Sequence, residues 1–171
     1  TAINGEWVEV PGKQMLEEMF KTFKNLPLVA EDLGVITKEV IALKNFFHLP
    51  GMKVLQFAFD GNTKNPHLPH HHDVNDVIYT GTHDNDTTLG WAENRDNYNV
   101  EFFKDYSGQN QSVEHESFAG ECLWSMVRMA LASVSFLAVL PMQDILKLNS
   151  SSRMNTPGTV TGNWLWRFNW K

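Results

Sequence analysis

Short apolar runs alternate with amphipathic stretches along this chain, and a polar cluster follows each run. Lys13 to Phe23 sets Met15, Leu16, Met19, Phe20 and Phe23 at helical spacing, a stripe suited to core packing, and Asn25-Leu26-Pro27 ends that helix. Leu28-Val29-Ala30 is apolar and too brief for a helix, which predicts a buried strand. Thr37 then suits the N-cap of a second helix, with Glu39 in its first turn and Val40, Ile41, Leu43 and Phe47 on its inner face. Leu49-Pro50-Gly51 stops it. Met52 to Phe59 is mostly apolar, the mark of a strand covered on both faces. The Pro- and His-rich connection from Asn65 to Asp76 leads into a strand at Val77 to Thr80. Trp91 to Gln111 reads as a surface excursion with a short helix around Val100 to Asp105. Ser112 suits the N-cap of a long helix to about Ser133, with Leu123, Trp124, Val127, Ala130 and Leu131 turned inward. Val134 to Leu140 is a last apolar strand, closed by Pro141. Asn149 to Asn163 is a loop, and Trp164 to Trp170 an aromatic tail.

Short apolar strands alternating with helices predict an α/β fold with parallel strands, in one domain over residues 1–171. The polar clusters after the strands are Glu31-Asp32, Asp60, His83-Asp84 and Gln143-Asp144. Carboxylates gathered at strand C-termini are the active face of a β/α barrel, of which four strands make half. An open doubly wound sheet is the structural alternative, without a glycine-rich phosphate loop to support nucleotide binding.

Charge and composition narrow the partners. A net charge of −6 weighs against a nucleic-acid binder that neutralises phosphates. The six Trp suit core packing, and also stacking on flat sugar faces or bases. No run is apolar enough over sufficient length to span a membrane. The single cysteine, Cys122, lies in an apolar helical run, so a buried inert thiol in a reducing compartment is expected. The chain opens on Thr1, which fits a processed product, an excised piece or part of something longer.

Candidate chemistry concentrates in Thr82-His83-Asp84-Asn85-Asp86. Asp84 and Asp86 repel each other when ionised, so a cation, a hydrogen-bond network or a substrate developing positive charge is needed beside them. An Asx-rich turn capping the next helix is the plainer reading. If the strand ends converge, Glu31 and Asp84 face one pocket from different strands. Paired carboxylates with aromatics suit glycosidic bond chemistry, one protonating the leaving oxygen and one stabilising an oxocarbenium-like transition state. Glu31 is then expected among aromatics, where desolvation favours the protonated acid. A metal-dependent hydrolase is the competing class, because His67, His70, His71, His72, His83, Asp84 and Asp86 are all possible ligands. The His run lies on a loop between prolines, and neither a His-Glu-x-x-His pattern nor a cysteine pair is present. No metal and no cofactor is expected.

Several motifs in order resemble the 4-α-glucanotransferase family, the amylomaltase or disproportionating enzyme group of the α-amylase clan. They are Ala30-Glu31-Asp32-Leu33-Gly34, the stretch Pro50 to Phe59, Asn65-Pro66-His67-Leu68-Pro69-His70, Tyr79 to Thr87, Pro141-Met142-Gln143-Asp144, Arg153 to Gly158, and Gly162-Asn163-Trp164. The resemblance implies a (β/α)₈ barrel that transfers α-1,4-glucan segments between malto-oligosaccharides with retention of configuration. It implies Glu31 as acid/base, Asp84 as transition-state stabiliser and His83 as a ligand of the donor sugar. Asn155, Asn163 and Trp164 fall on the loop after the last strand, near the pocket rim. The family's nucleophilic aspartate lies in an Arg-Ile-Asp-His-type stretch on the fourth strand, and this sequence has none. The resemblance therefore covers strands five to eight only. The expected partners are an α-glucan or malto-oligosaccharide, the missing N-terminal half of the barrel, and a second copy through self-association, with no nucleic acid and no membrane. The expected location is cytoplasmic, or plastidic in a plant. A non-catalytic glucan-binding fragment is the alternative within the same resemblance.

Overall fold

The computed structural model describes residues 4–6, 8–24, 26–109 and 118–157, and the chain divides into two compact units, residues 1–51 and 52–171.

In the first unit, α1 (Gly12–Thr22) and α2 (Lys38–Phe46) meet through stacked Phe20 and Phe47, whose ring centroids lie 5.5 Å apart. Thr37 caps α2 as expected, its hydroxyl accepting the Val40 N–H, with Glu39 in the first turn. The expected burial of the two apolar stripes is corrected: neither helix contains a buried residue, and Met15 and Phe23 are both more than half exposed. The expected buried strand at Leu28–Ala30 is also corrected. The segment forms neither helix nor strand, its Leu28 N–H donates back to the Leu26 carbonyl at 2.9 Å, and Val29 is exposed. The Ala30 N–H donates to the Pro50 carbonyl at 2.8 Å.

The second unit carries a three-stranded sheet in the order β1 (Gly51–Val54), β2 (Asp76–Tyr79), β3 (Leu137–Val139). The β2 and β3 strands run parallel, with Val77 opposite Leu137, Ile78 opposite Ala138 and Tyr79 opposite Val139. Val77 and Ile78, which point to opposite faces, are both fully buried, and this explains the unbroken apolar run of β2. The expected strand to Phe59 stops at Val54 and gives way to a 3₁₀ turn over Leu55–Phe57. There the Gln56 carbonyl accepts the Trp91 indole N–H and an Arg95 guanidinium N–H instead of a ladder donor. The last strand, expected over Val134 to Leu140, pairs only over three residues.

Helices α3 (Thr88–Glu93), α4 (Asn97–Ser107), α5 (Phe118–Leu131) and α6 (Met142–Ile145) complete the unit. The excursion helix is longer than the expected Val100–Asp105. Asp96 caps it by accepting the Asn99 N–H, and Gly108 ends it at a left-handed φ of 72°. In α5, Leu123, Val127 and Ala130 are buried as expected. Trp124 is only half-buried, and Leu131 is exposed, a correction to the expected inner face. The Ser112 cap lies outside the described residues. The core gathers around Phe59, whose ring meets Phe103 at 4.6 Å and Tyr106 at 5.8 Å, with Ile78, Cys122 and Met126 beside it. Burial pushes the Cys122 thiol up to about 12, the inert thiol the sequence suggests. Among the described residues no helix is long and apolar enough to cross a membrane.

Candidate active site

The chain leaves β2 at Thr80 and enters α3 at Thr88, and the loop between carries His83 and Asp84. Two sets of side-chain hydrogen bonds shape it. Thr82 donates its N–H and its hydroxyl to Asn85 Oδ1 at 2.9 and 2.8 Å, and the Thr87 hydroxyl accepts the Gly90 N–H at the start of α3. Asn85 ties the loop back to Thr82, and the cap of α3 falls to Thr87 and not to an aspartate, which corrects the expected Asx cap; His83 and Asp84 lie between these two anchors.

The two carboxylates of the loop are held apart by different partners. Asp86 accepts the Ser150 hydroxyl through Oδ2 at 2.7 Å and the Thr87 N–H through Oδ1 at 2.8 Å. Asp84 Oδ1 accepts an amide N–H of Asn155, and His83 Nε2 lies 3.4 Å from the same oxygen. Arg153 completes the arrangement. Its Nη2 donates to the Asp84 carbonyl at 2.8 Å and its Nε to the Asn155 carbonyl at 2.7 Å. Arg153 has no carboxylate in this contact, so its positive charge adds to the field beside Asp84. The His83 and Asp84 side chains remain 62% and 46% exposed, so their mutual attraction is weak in water and both are open to a ligand.

Glu31 lies in the first unit, directly after Leu28–Ala30. Its carboxylate is exposed and accepts the Leu33 N–H at 2.7 Å, which corrects the expectation of an aromatic enclosure for this side chain. Its neighbour Asp32 is committed elsewhere, pairing with Lys44 Nζ at 2.6 Å with both side chains mostly shielded. Of the two adjacent acids, Glu31 is thus the one left open. Asp60 turns into a local bond with the Asn62 N–H, and Asp144 is fully buried. Asn163 and Trp164 lie outside the described residues.

The histidine run is dispersed over separate protein partners. His67 Nδ1 accepts the Val54 N–H, His70 Nδ1 meets the Tyr106 hydroxyl at 2.8 Å, His71 Nε2 faces the Thr63 carbonyl, and His72 is held by Ser133 and the His67 carbonyl. Among the described residues no three His, Cys, Asp or Glu side chains gather as metal ligands. A cleft of about 330 Å³ between α3 and the turn at Asn149–Ser152 contains none of the expected site residues.

Arg153 and Gln56 fall inside motifs of the family resemblance, but sequence reasoning gave neither a role. Gln56 reaches the loop from the far side, its amide donating to the Asp86 carbonyl at 2.9 Å. A residue isolated in an apolar strand gives no periodic signal, although a lone Gln between Leu55 and Phe57 is a polar group that burial obliges to find partners.

The family model for 4-α-glucanotransferases matches residues 1–171, the whole chain. The chain belongs to the 4-α-glucanotransferase family. It is 49% identical over 172 aligned residues to a 4-α-glucanotransferase of Synechocystis sp., covering 98% of this chain and 32% of that protein. It is 46% identical to the chloroplastic/amyloplastic 4-α-glucanotransferase of Arabidopsis thaliana, covering 97% of this chain and 28% of the relative. In structure it resembles the amylomaltase from Streptococcus agalactiae solved in complex with acarbose, with a TM-score of 0.86 and 33% identity over 99% of this chain and 33% of that one. The chain thus spans about a third of the length of the relatives it matches.

Proposed function

We propose that this segment is the C-terminal half of a (β/α)₈ barrel, strands five to eight, in an enzyme that transfers α-1,4-glucan segments with retention of configuration. The observation that carries the reading is the convergence on Asp84: His83 beside it at the C-terminal end of a parallel strand, and Asn155 and Arg153 arriving from the segment after β3. In this reading Asp84 stabilises the positive charge that develops at the sugar carbon, and His83 and Asn155 hold both the carboxylate and the donor sugar. Glu31 protonates the leaving oxygen and later deprotonates the acceptor hydroxyl. Asn163 and Trp164 contribute to the rim of the same pocket. The Leu28–Ala30 segment stands in the place of strand five. An aspartate nucleophile comes from the remainder of the enzyme, since retaining transfer runs through a covalent glycosyl intermediate.

Malto-oligosaccharides are the proposed substrates, with support from the amylomaltase of S. agalactiae solved in complex with acarbose. The proposed location is the cytoplasm or, in a plant, the plastid named for the Arabidopsis relative. The test is disproportionation of maltotriose by the whole enzyme. Glu31→Gln lowers kcat by about 10²–10⁴-fold, the scale of a lost general acid. Asp84→Asn lowers kcat more than it raises KM, because the charge it stabilises belongs to the transition state. Full turnover in either variant refutes its assigned role.

A further inference from the structure

One buried carboxylate holds both ends of the loop that carries His83 and Asp84. Asp144, in α6, is fully buried. Its Oδ2 accepts the hydroxyl of Thr80, the residue that leaves β2, at 2.6 Å, and the hydroxyl of Thr88, the first residue of α3, at 2.7 Å. Its Oδ1 accepts the Thr88 backbone N–H at 2.7 Å. Thr80 and Thr88 are both fully buried, so none of the three bonds is diluted by solvent. Gln56 closes the same space, its amide donating to the Asp86 carbonyl and lying within 3.4 Å of the Thr88 hydroxyl. A Cβ at Gly81 would sit 2.5 Å from that amide nitrogen, so the loop leaves the strand packed directly on Gln56.

We propose that Asp144 is a positioning residue for the reaction: by drawing Thr80 and Thr88 onto one carboxylate it fixes the span of the loop and thereby the location of Asp84. The inference rests on the reading of Asp84 given above. With both loop ends fixed, residues 81–87 keep a single course and Asp84 meets the developing charge without reorganising. Without the carboxylate, the hydroxyls lose their shared acceptor and the loop ends are free to separate. A displacement of about 1 Å at a catalytic group is enough to cost on the order of 100-fold in rate.

The test uses the whole enzyme and compares Asp144→Asn, Thr80→Val, Thr88→Val, the Asp144→Asn/Thr80→Val double variant and Asp84→Asn. Asn and Val keep the side-chain volumes, and an Asn amide still accepts the Thr88 N–H. Ser133→Ala, which removes the hydroxyl partner of His72, is the control for a stability loss remote from the loop. We expect kcat to fall on the order of tenfold to 100-fold in Asp144→Asn, with KM within about twofold, at a temperature well below unfolding. We expect the Asp144→Asn/Thr80→Val pair to cost no more than Asp144→Asn alone, because both break one device. Ser133→Ala lowers the melting temperature and leaves kcat unchanged. A lower melting temperature with unchanged kcat in Asp144→Asn overturns the inference, and so does a purely KM effect or full additivity of the pair. If Asp84→Asn itself leaves turnover intact, the role of Asp84 fails, and this separates failure of the functional reading from failure of the Asp144 device alone.

Discussion

At the scale of single residues, the proposed chemistry turns on how one carboxylate is presented. Asp84 is held through its side chain by Asn155 and through its backbone by Arg153, while Asp86, two positions on, is satisfied by Ser150 and Thr87. The repulsion legible in the sequence is thus relieved by dividing the pair between two hydrogen-bond sets. Arg153 makes its two contacts from the planar fork of the guanidinium, a geometry that a lysine ammonium does not reproduce. In the whole enzyme, Arg153→Lys therefore lowers kcat on the order of tenfold, and Arg153→Ala at least as much; steady-state kinetics with maltotriose checks this, and wild-type turnover in Arg153→Lys contradicts it. A second residue-scale expectation concerns pH. Burial pushes the His72 imidazole below its usual value, against the raising effect of its bond to the His67 carbonyl and of Asp76, while Lys53 and His70 add to the lowering. The folded state therefore keeps His72 neutral where the unfolded chain binds a proton. Stability contributed by this residue is intact above the ordinary histidine value of about 6.5 and falls as pH drops below it. The urea midpoint of the whole enzyme should drop between about pH 7.5 and 5.5, and His72→Gln should shrink that drop. An unchanged drop in the variant would assign the acid sensitivity to other groups. His83 and Asp84 were legible as candidates because the polar cluster follows an apolar strand without a gap. The contact of Arg153 with Asp84 was not, because an arginine in a Ser-rich loop has no periodicity to mark its partner, and only the fold brings the two together.

At the scale of elements, the parallel strands and the amphipathic helices were legible, and their ends were not. β2 appears where the Val77–Thr80 run predicts it, and α2 begins at its predicted Thr37 cap. The strand expected to Phe59 ends early because Trp91 and Arg95, more than thirty residues away, take the Gln56 carbonyl. That is a tertiary contact no local pattern encodes. The α4 helix, by contrast, carried its own signals in Asp96 and Gly108, and a capping argument would have extended it to Asn97–Ser107. Close packing of α3 on the site yields a prediction of its own. A Cβ added at Gly90 collides with the Ser150 hydroxyl and comes within 2.9 Å of both Asp86 Oδ1 and the Ser150 backbone nitrogen. The backbone partner cannot swing away as a side chain can, so Gly90→Ala has to move the 150–152 turn and break the Ser150–Asp86 bond. We expect a loss of about 1–3 kcal/mol, the usual scale of overpacking, read as a lower urea midpoint at unchanged slope. Unchanged stability would mean that the turn yields freely and does not brace Asp86.

At the scale of the whole molecule, the half-barrel reading makes a demand that this segment does not meet alone. Strands β1 and β3 are the two edges of the sheet, and the β3 edge is flanked by exposed Leu131, Phe136, Leu137 and Val139. In a closed barrel such an edge is paired and such side chains are covered, whereas an open edge with apolar flanks invites association. The sequence contains no Arg-Ile-Asp-His-type stretch, the place where the family resemblance puts the nucleophile. In the proposed reading Glu31 is assigned proton transfer and Asp84 charge stabilisation, and neither is assigned to carry the glycosyl group between donor and acceptor. The isolated segment is therefore expected to release no glucose from maltotriose and to self-associate in solution. Adding the separately expressed remainder of the enzyme is expected to restore turnover, and Asp84→Asn in the segment to abolish that restored activity. Purified residues 1–171, examined by glucose release and by light scattering with and without the other half, decide the matter. Turnover by the segment alone would refute the half-barrel reading of its chemistry. A monodisperse monomer that stays inactive on mixing would refute the expectation that the exposed edge is a pairing surface.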